Sequence, residues 1–154
     1  MYGISRISVV DSVSLITFHR YTGDFHDCAS IFDAVASAGI NIDMISRSAP
    51  QSGTTDLSFS APDSDFPKIM DIIADENKGS SHIRPMVSTN NCKISLYGEE
   101  MRTTPGVAAH VFATIASTGA DVMLVTTSEV DISLLIPELY KDIVLETLNK
   151  EFVL

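Results

Sequence analysis

The chain has 154 residues, a net charge of −10 and 45% apolar side chains. That length fits one ordinary domain or two small ones, and the apolar share supports a packed core rather than disorder. Ten scattered Lys and Arg residues in an acidic chain argue against a nucleic-acid or anionic-membrane surface, which needs clustered cations.

Taken in order, Gly3–Val10 reads as a short strand broken at Asp11-Ser12, and Val13–Phe18 (VSLITF) as the next. A polar loop, Tyr21–Asp27, leads to Cys28, Ile31, Phe32, Val35 and Ala36 at helical spacing. Gly39 is a natural stop for that helix. Ile40–Ile45 (INIDMI) alternates, with Asn41 and Asp43 opposite Ile40, Ile42 and Met44. Ser46–Thr55 is turn-rich, with Pro50 and Gly53, and Asp56–Ala61 is a further strand. Pro62–Asp65 supplies capping residues for a helix bearing Phe66, Ile69, Met70 and Ile73, which ends at Lys78-Gly79. His82–Val87 reads as a strand, Asn90-Asn91 as a tight turn, and Cys92–Tyr97 as the strand after it. A polar loop ending in Pro105-Gly106 precedes an apolar helical stripe that stops at Gly119. Two short apolar runs then close across Ser128-Glu129, and a last helix carries Leu139, Ile143, Val144 and Leu148.

The second half repeats the first. An offset of 80 residues relates Ala29 to Ala109, Phe32 to Phe112, Gly39 to Gly119 and Ser48 to Ser128. Beyond Ser128 the offset is 75, where Asp131-Ile132-Ser133-Leu134 answers Asp56-Leu57-Ser58-Phe59. The second copy is therefore five residues shorter in one turn, and a repeat this long is a duplicated small domain. Each copy has the order β-α-β-β-α-β, an α+β, ferredoxin-like arrangement with an antiparallel sheet and both helices on one face. The second copy lacks a last strand, because Glu151–Leu154 is too short. The unused N-terminal strand is assigned to complete it. The expected domains are 13–88, and 3–10 plus 92–152, with no Gly/Ser linker between them. Units that small lean on a partner, so a homodimer is expected.

Cys28 and Cys92 lie far apart without a CxxC pattern, so neither a disulfide framework nor a metal site is expected. The N-terminal run is neither a signal peptide nor a membrane span, and the default compartment is the cytoplasm. Four scattered histidines give no Ser-His-Asp pattern, Glu99-Glu100 reads as a solvated pair, and no glycine-rich phosphate loop is present. No catalytic residue and no cofactor are assigned.

The segments MRTTPGVAA (101–109), TSEVDIS (127–133), GINIDMI (39–45) and GTTDLSF (53–59) together resemble the tandem ACT domains of aspartokinases. The resemblance covers nearly the whole chain. It implies a regulatory module that binds lysine or threonine as an end-product effector and dimerises side by side. It also implies control of an aspartate kinase catalytic chain in amino-acid biosynthesis. That catalytic domain is not in these 154 residues. A ligand-free dimerisation or scaffold subunit is the alternative.

The resemblance also implies the site. A free amino acid presents a carboxylate, suited to the amides of a helix start, and an ammonium, suited to carbonyls or a carboxylate. In the second copy the expected effector residues are Thr103, Thr104, Gly106, Val107, Ala108, Asp121, Val122, Ser128 and Glu129, with Pro105 at the first helical position. Asp121 stands where the family usually has Asn. In the first copy they are His26, Asp27, Cys28, Asn41, Asp43 and Arg47. There Phe25-His26-Asp27-Cys28 replaces the family's Pro-Gly-Val-Ala, and Arg47-Ser48 replaces Gln-Asn.

Overall fold

The computed structural model describes residues 3–79 and 83–152; the expected start of a strand at His82 lies outside them. The elements are β1 Arg6–Tyr21, α1 Phe25–Ser37, β2 Ile45–Arg47, β3 Thr55–Pro62, α2 Phe66–Glu76, β4 Pro85–Tyr97, α3 Val107–Ala116, β5 Leu124–Thr127, β6 Asp131–Pro137 and α4 Lys141–Phe152. Single 3-10 turns precede α2 and α4, and a third, Glu99–Arg102, follows β4. The class is α+β with antiparallel pairing. The chain divides into two compact units, Ser12–Thr89, and Met1–Asp11 with Asn90–Leu154.

In the Ser12–Thr89 unit β3 pairs with β1 (Ile16↔Phe59, Phe18↔Leu57) and with β2 (Ile45↔Phe59, Arg47↔Leu57). Ile16, Phe18, Leu57 and Phe59 are buried with Ile31 and Val35 of α1 and Ile69 and Ile73 of α2. Phe59 makes edge-to-face contacts with Phe18 and Phe32, at centroid distances of 5.8 and 5.4 Å. In the other unit β6 pairs with β4 (Cys92↔Ile136, Leu96↔Ile132) and with β5 (Val125↔Leu134, Thr127↔Ile132). Its core joins Ile94, Leu96, Ile132 and Leu134 to Val111 and Ile115 of α3 and Val144, Leu148 and Phe152 of α4. Each fully buried side chain of this size contributes about 1.5–3 kcal/mol, so these two cores outweigh the exposed ion pairs described below. The repeat extends to strand register: Arg47↔Leu57 in one unit is answered by Thr127↔Ile132 in the other.

The N-terminal run joins the second unit. Ile4 is buried in its core, and the Ser5 amide donates to the Tyr97 carbonyl at 2.8 Å. Gly98 makes this possible, because a Cβ there would lie 1.6 Å from the Gly3 carbonyl oxygen.

Four expectations are corrected. The break at Asp11-Ser12 is a kink inside the single strand β1, with Ser12 at φ 57. The turn at Asn90-Asn91 is likewise absorbed into β4, with Asn90 at φ 59 and Asn91 buried. Both residue types tolerate a local left-handed or irregular backbone, and neighbouring strand pairing outweighs their turn preference. The strand expected over Ile40–Ile45 exists only as Ile45–Arg47. Before it, buried Ser60 takes the bonds: its carbonyl accepts from the Asp43 amide (3.2 Å) and its hydroxyl from the Met44 amide (2.9 Å). Leu139 belongs to a 3-10 turn and is 81% exposed, so the last helix presents Val144, Leu148 and Phe152 to the core instead.

Candidate functional site

The start of α3 carries the clearest site geometry. Gly106 caps the helix at φ 91, ψ −1. After Pro105, those are the angles of the third residue of a type II turn, which favours glycine. Pro105 therefore sits in the turn ahead of the helix, not at its first position, because the glycine conformation ends the turn before helical angles begin. Nothing lies within 4 Å of where a Gly106 Cβ would stand. The Gly106 carbonyl accepts the first helical bond, from the His110 amide at 3.0 Å. No side chain caps the helix, so its first-turn amides face outward at the positive end of the helix dipole.

A cavity of about 290 Å³ opens beside these amides. Thr104 to Ala108 line it from the helix side, Thr127, Ser128 and Glu129 from the β5–β6 turn, and Met101 and Ile132 add apolar surface. Arg102 links the β5–β6 turn to the segment after β4. Its Nε donates to Glu99 Oε2 at 3.2 Å and its Nη1 to Glu129 Oε2. The Tyr97 hydroxyl donates to Glu99 Oε1 at 2.5 Å, and the Arg6 guanidinium lies 4.8 Å above the Tyr97 ring. The Tyr97 hydroxyl and then Arg102 hold the Glu99 carboxyl below its ordinary range, and the same bond pushes the Tyr97 hydroxyl up. Chemically, the cavity offers amides for a carboxylate, with hydroxyls and the Glu129 carboxylate for an ammonium.

The equivalent start of α1 is closed by its own side chains. α1 begins at Phe25, so His26 lies inside the first turn rather than at a Gly106-like cap. Asp24 and Asp27 form a reciprocal capping box: the Asp27 amide donates to Asp24 Oδ1 (2.9 Å) and the Asp24 amide to Asp27 Oδ2 (3.0 Å). The Asp27 amide, and after it the Asp27 side chain and His26, hold the Asp24 carboxyl below its usual range. Arg47 stacks over Phe25 at 5.6 Å. The Cys28 thiol is buried in the core, and desolvation pushes it up. Two fixed carboxylates thus stand where a ligand carboxylate would dock.

Of the expected second-copy residues, Thr104, Gly106, Val107, Ala108, Ser128 and Glu129 line one cavity. Asp121 and Val122 line another, of about 370 Å³, with Phe112 and Val125. Thr103 lies in the connecting turn, its amide donating to the Glu100 carbonyl (3.1 Å), and lines neither. Asn41 and Asp43 are exposed ahead of β2. Sequence reasoning missed Arg102, Met101, Thr127 and Ile132. Met101-Arg102 precede Pro-Gly in a quoted motif, but nothing local in the sequence pairs Arg102 with Glu129. No group of His, Cys, Asp and Glu among the described residues is placed to hold a metal ion.

The sequence model of the ACT domain matches residues 94–152. An aspartokinase of Geobacillus stearothermophilus is 32% identical over 150 residues, which is 97% of this chain and 35% of the relative. An aspartokinase of Corynebacterium glutamicum is 33% identical over 130 residues, 83% of this chain and 31% of the relative. The chain thus spans about a third of the length of the curated relatives it matches. Among solved structures, a chain of the aspartokinase alpha and beta subunits is 31% identical, with a TM-score of 0.84 over 98% of this chain and 99% of that one. The ligand-free regulatory subunit of aspartate kinase from Thermus thermophilus has the same fold, with a TM-score of 0.86 at 24% identity over 96% of this chain and 97% of that one. On these sequence matches, and with residues 94–152 matching the ACT domain, this chain belongs to the aspartokinase family.

Proposed function

We propose that this chain is an amino-acid-sensing regulatory module that exerts feedback control on an aspartate kinase, with lysine or threonine as the effector. Each compact unit is then one ferredoxin-like ACT domain, 13–88 and 3–10 plus 92–152. The observation that carries the reading is the uncapped start of α3 opening on a cavity walled by Thr127, Ser128 and Glu129. The ligand carboxylate docks on the amides of Val107 and Ala108. Its ammonium faces Glu129 and the hydroxyls. A homodimer through the β5 edge fits the exposure of Phe112, Val122 and Val125 there. The kinase itself is a separate catalytic domain or chain, and the compartment is the cytoplasm. Binding that favours one arrangement of the module over another is worth about 1–3 kcal/mol of coupling. Calorimetry of the chain against lysine, threonine and the other common amino acids should show one saturable site, and no heat from any of them overturns the proposal.

A second reading, a ligand-free dimerisation or scaffold subunit for a kinase chain, is favoured by the self-capped start of α1. Recovery of a kinase chain in a pull-down, together with silent calorimetry, would select it.

A further inference from the structure

The five residues by which the first copy exceeds the second are not absorbed by the effector reading. Both copies close the turn after their edge strand with the same backbone bond, Ser48 amide to Asp56 carbonyl (2.9 Å) and Ser128 amide to Asp131 carbonyl (2.8 Å). The extra residues of the first copy project beyond that bond as a second, tighter hairpin. Gln51 and Thr54 exchange both backbone bonds around Ser52 and Gly53, whose positive φ values (53 and 78) are those of a type I′ turn.

This projection walls a polar cleft of about 340 Å³ whose other side is a bulge in β1. Phe18 pairs with Leu57 and Tyr21 with Thr55, so His19 and Arg20 together oppose Asp56. Arg20 sits at φ 50, a conformation that costs a residue with a Cβ and recurs at functional sites. Asp56 Oδ1 accepts from the Arg20 amide and from His19 Nδ1, both at 2.9 Å. The Arg20 amide, and then His19, hold the Asp56 carboxyl below its usual range. The hydroxyls of Ser48 and Thr55 are engaged with each other and that of Thr54 with the Gln51 carbonyl. The Arg20 guanidinium makes no ion pair among the described residues. A bulge that re-aims two side chains is a feature characteristic of binding sites.

We propose that this cleft is a second ligand site, for a small oxyanion of the carboxylate or phosphate class, gripped by the planar fork of Arg20 and flanked by the Gln51 side-chain amide. Arg20 suits both oxyanions, while the two donors on Asp56 Oδ1 hold that carboxylate against the bulge. The site belongs to the first copy and is independent of the α3 cavity.

The test is a ¹⁵N–¹H NMR titration of the whole chain with inorganic phosphate and, separately, with succinate. At least one should give saturable shifts at His19, Arg20 and Gln51–Thr54, and the stronger arm names the source. Arg20→Gln should weaken binding about tenfold or more, as loss of a charge-assisted pair does. Arg20→Gly should also lose binding while keeping or raising the melting temperature, since glycine accepts φ 50. No saturable shift from either anion overturns the proposal, as do shifts confined to Gly106–Ala108 or undiminished binding by Arg20→Gly.

Discussion

Arg102 and Glu129 lie 27 residues apart, yet Arg102 Nη1 donates to Glu129 Oε2, a carboxylate that lines the cavity at the start of α3. Both side chains are exposed, so the pair adds little to folding stability. In the proposed site it ties the β5–β6 turn to the segment after β4 and anchors the carboxylate assigned to the ligand ammonium. Arg102→Ala should therefore leave the urea midpoint nearly unchanged while weakening effector binding by calorimetry about tenfold, the loss expected from one charge-assisted contact. An unchanged affinity would remove Arg102 from the site.

Gly106→Ala tests the turn and the amides together. The added methyl meets nothing within 4 Å, but φ 91 is costly for alanine. A stability loss of about 1–2 kcal/mol is expected from urea unfolding. Because that methyl stands at the amides, the loss of effector affinity should exceed what the stability change explains.

At α1 the prediction runs the other way. Asp24→Ala removes the cap and should lower the melting temperature, with no loss of amino-acid binding, because that helix start is already occupied by Asp24 and Asp27. The stability from Asp24 is present above the ordinary carboxylate range, since its folded carboxyl is held low. It is lost as pH falls through that lowered value. Melting curves of the two proteins should converge in acid.

Cys92 sets an alkaline limit. Burial, and then the Glu138 and Asp11 carboxylates, push its thiol from 9.0 up to about 11. A thiol raised in the folded state leaves stability intact below pH 9. Between about pH 9 and 11 the unfolded chain ionises and the folded one does not, a loss of about 3 kcal/mol. Cys92→Ala should be less stable at neutral pH, from its cavity, but should show a shallower decline over that interval. A thiol reagent should leave Cys28 and Cys92 unreacted until the chain unfolds, since both are buried.

Short-range chemistry determined much of this protein. Apolar spacing located the four α-helices of the described residues, the 80- and 75-residue offsets together match the one register that the two hairpins share, and Pro105-Gly106 marked the turn before α3. These features are written in neighbouring residues, through helical and strand periodicity and the positive φ that glycine permits. What only the tertiary structure decided depends on residues brought together from afar. Strand pairing carried β1 through Ser12 and β4 through Asn90, overriding local turn preference. Asp24 and Asp27 closed one helix start while Arg102 and Glu129 framed the other, because a hydrogen bond depends on where the backbone carries each group and not on sequence spacing alone.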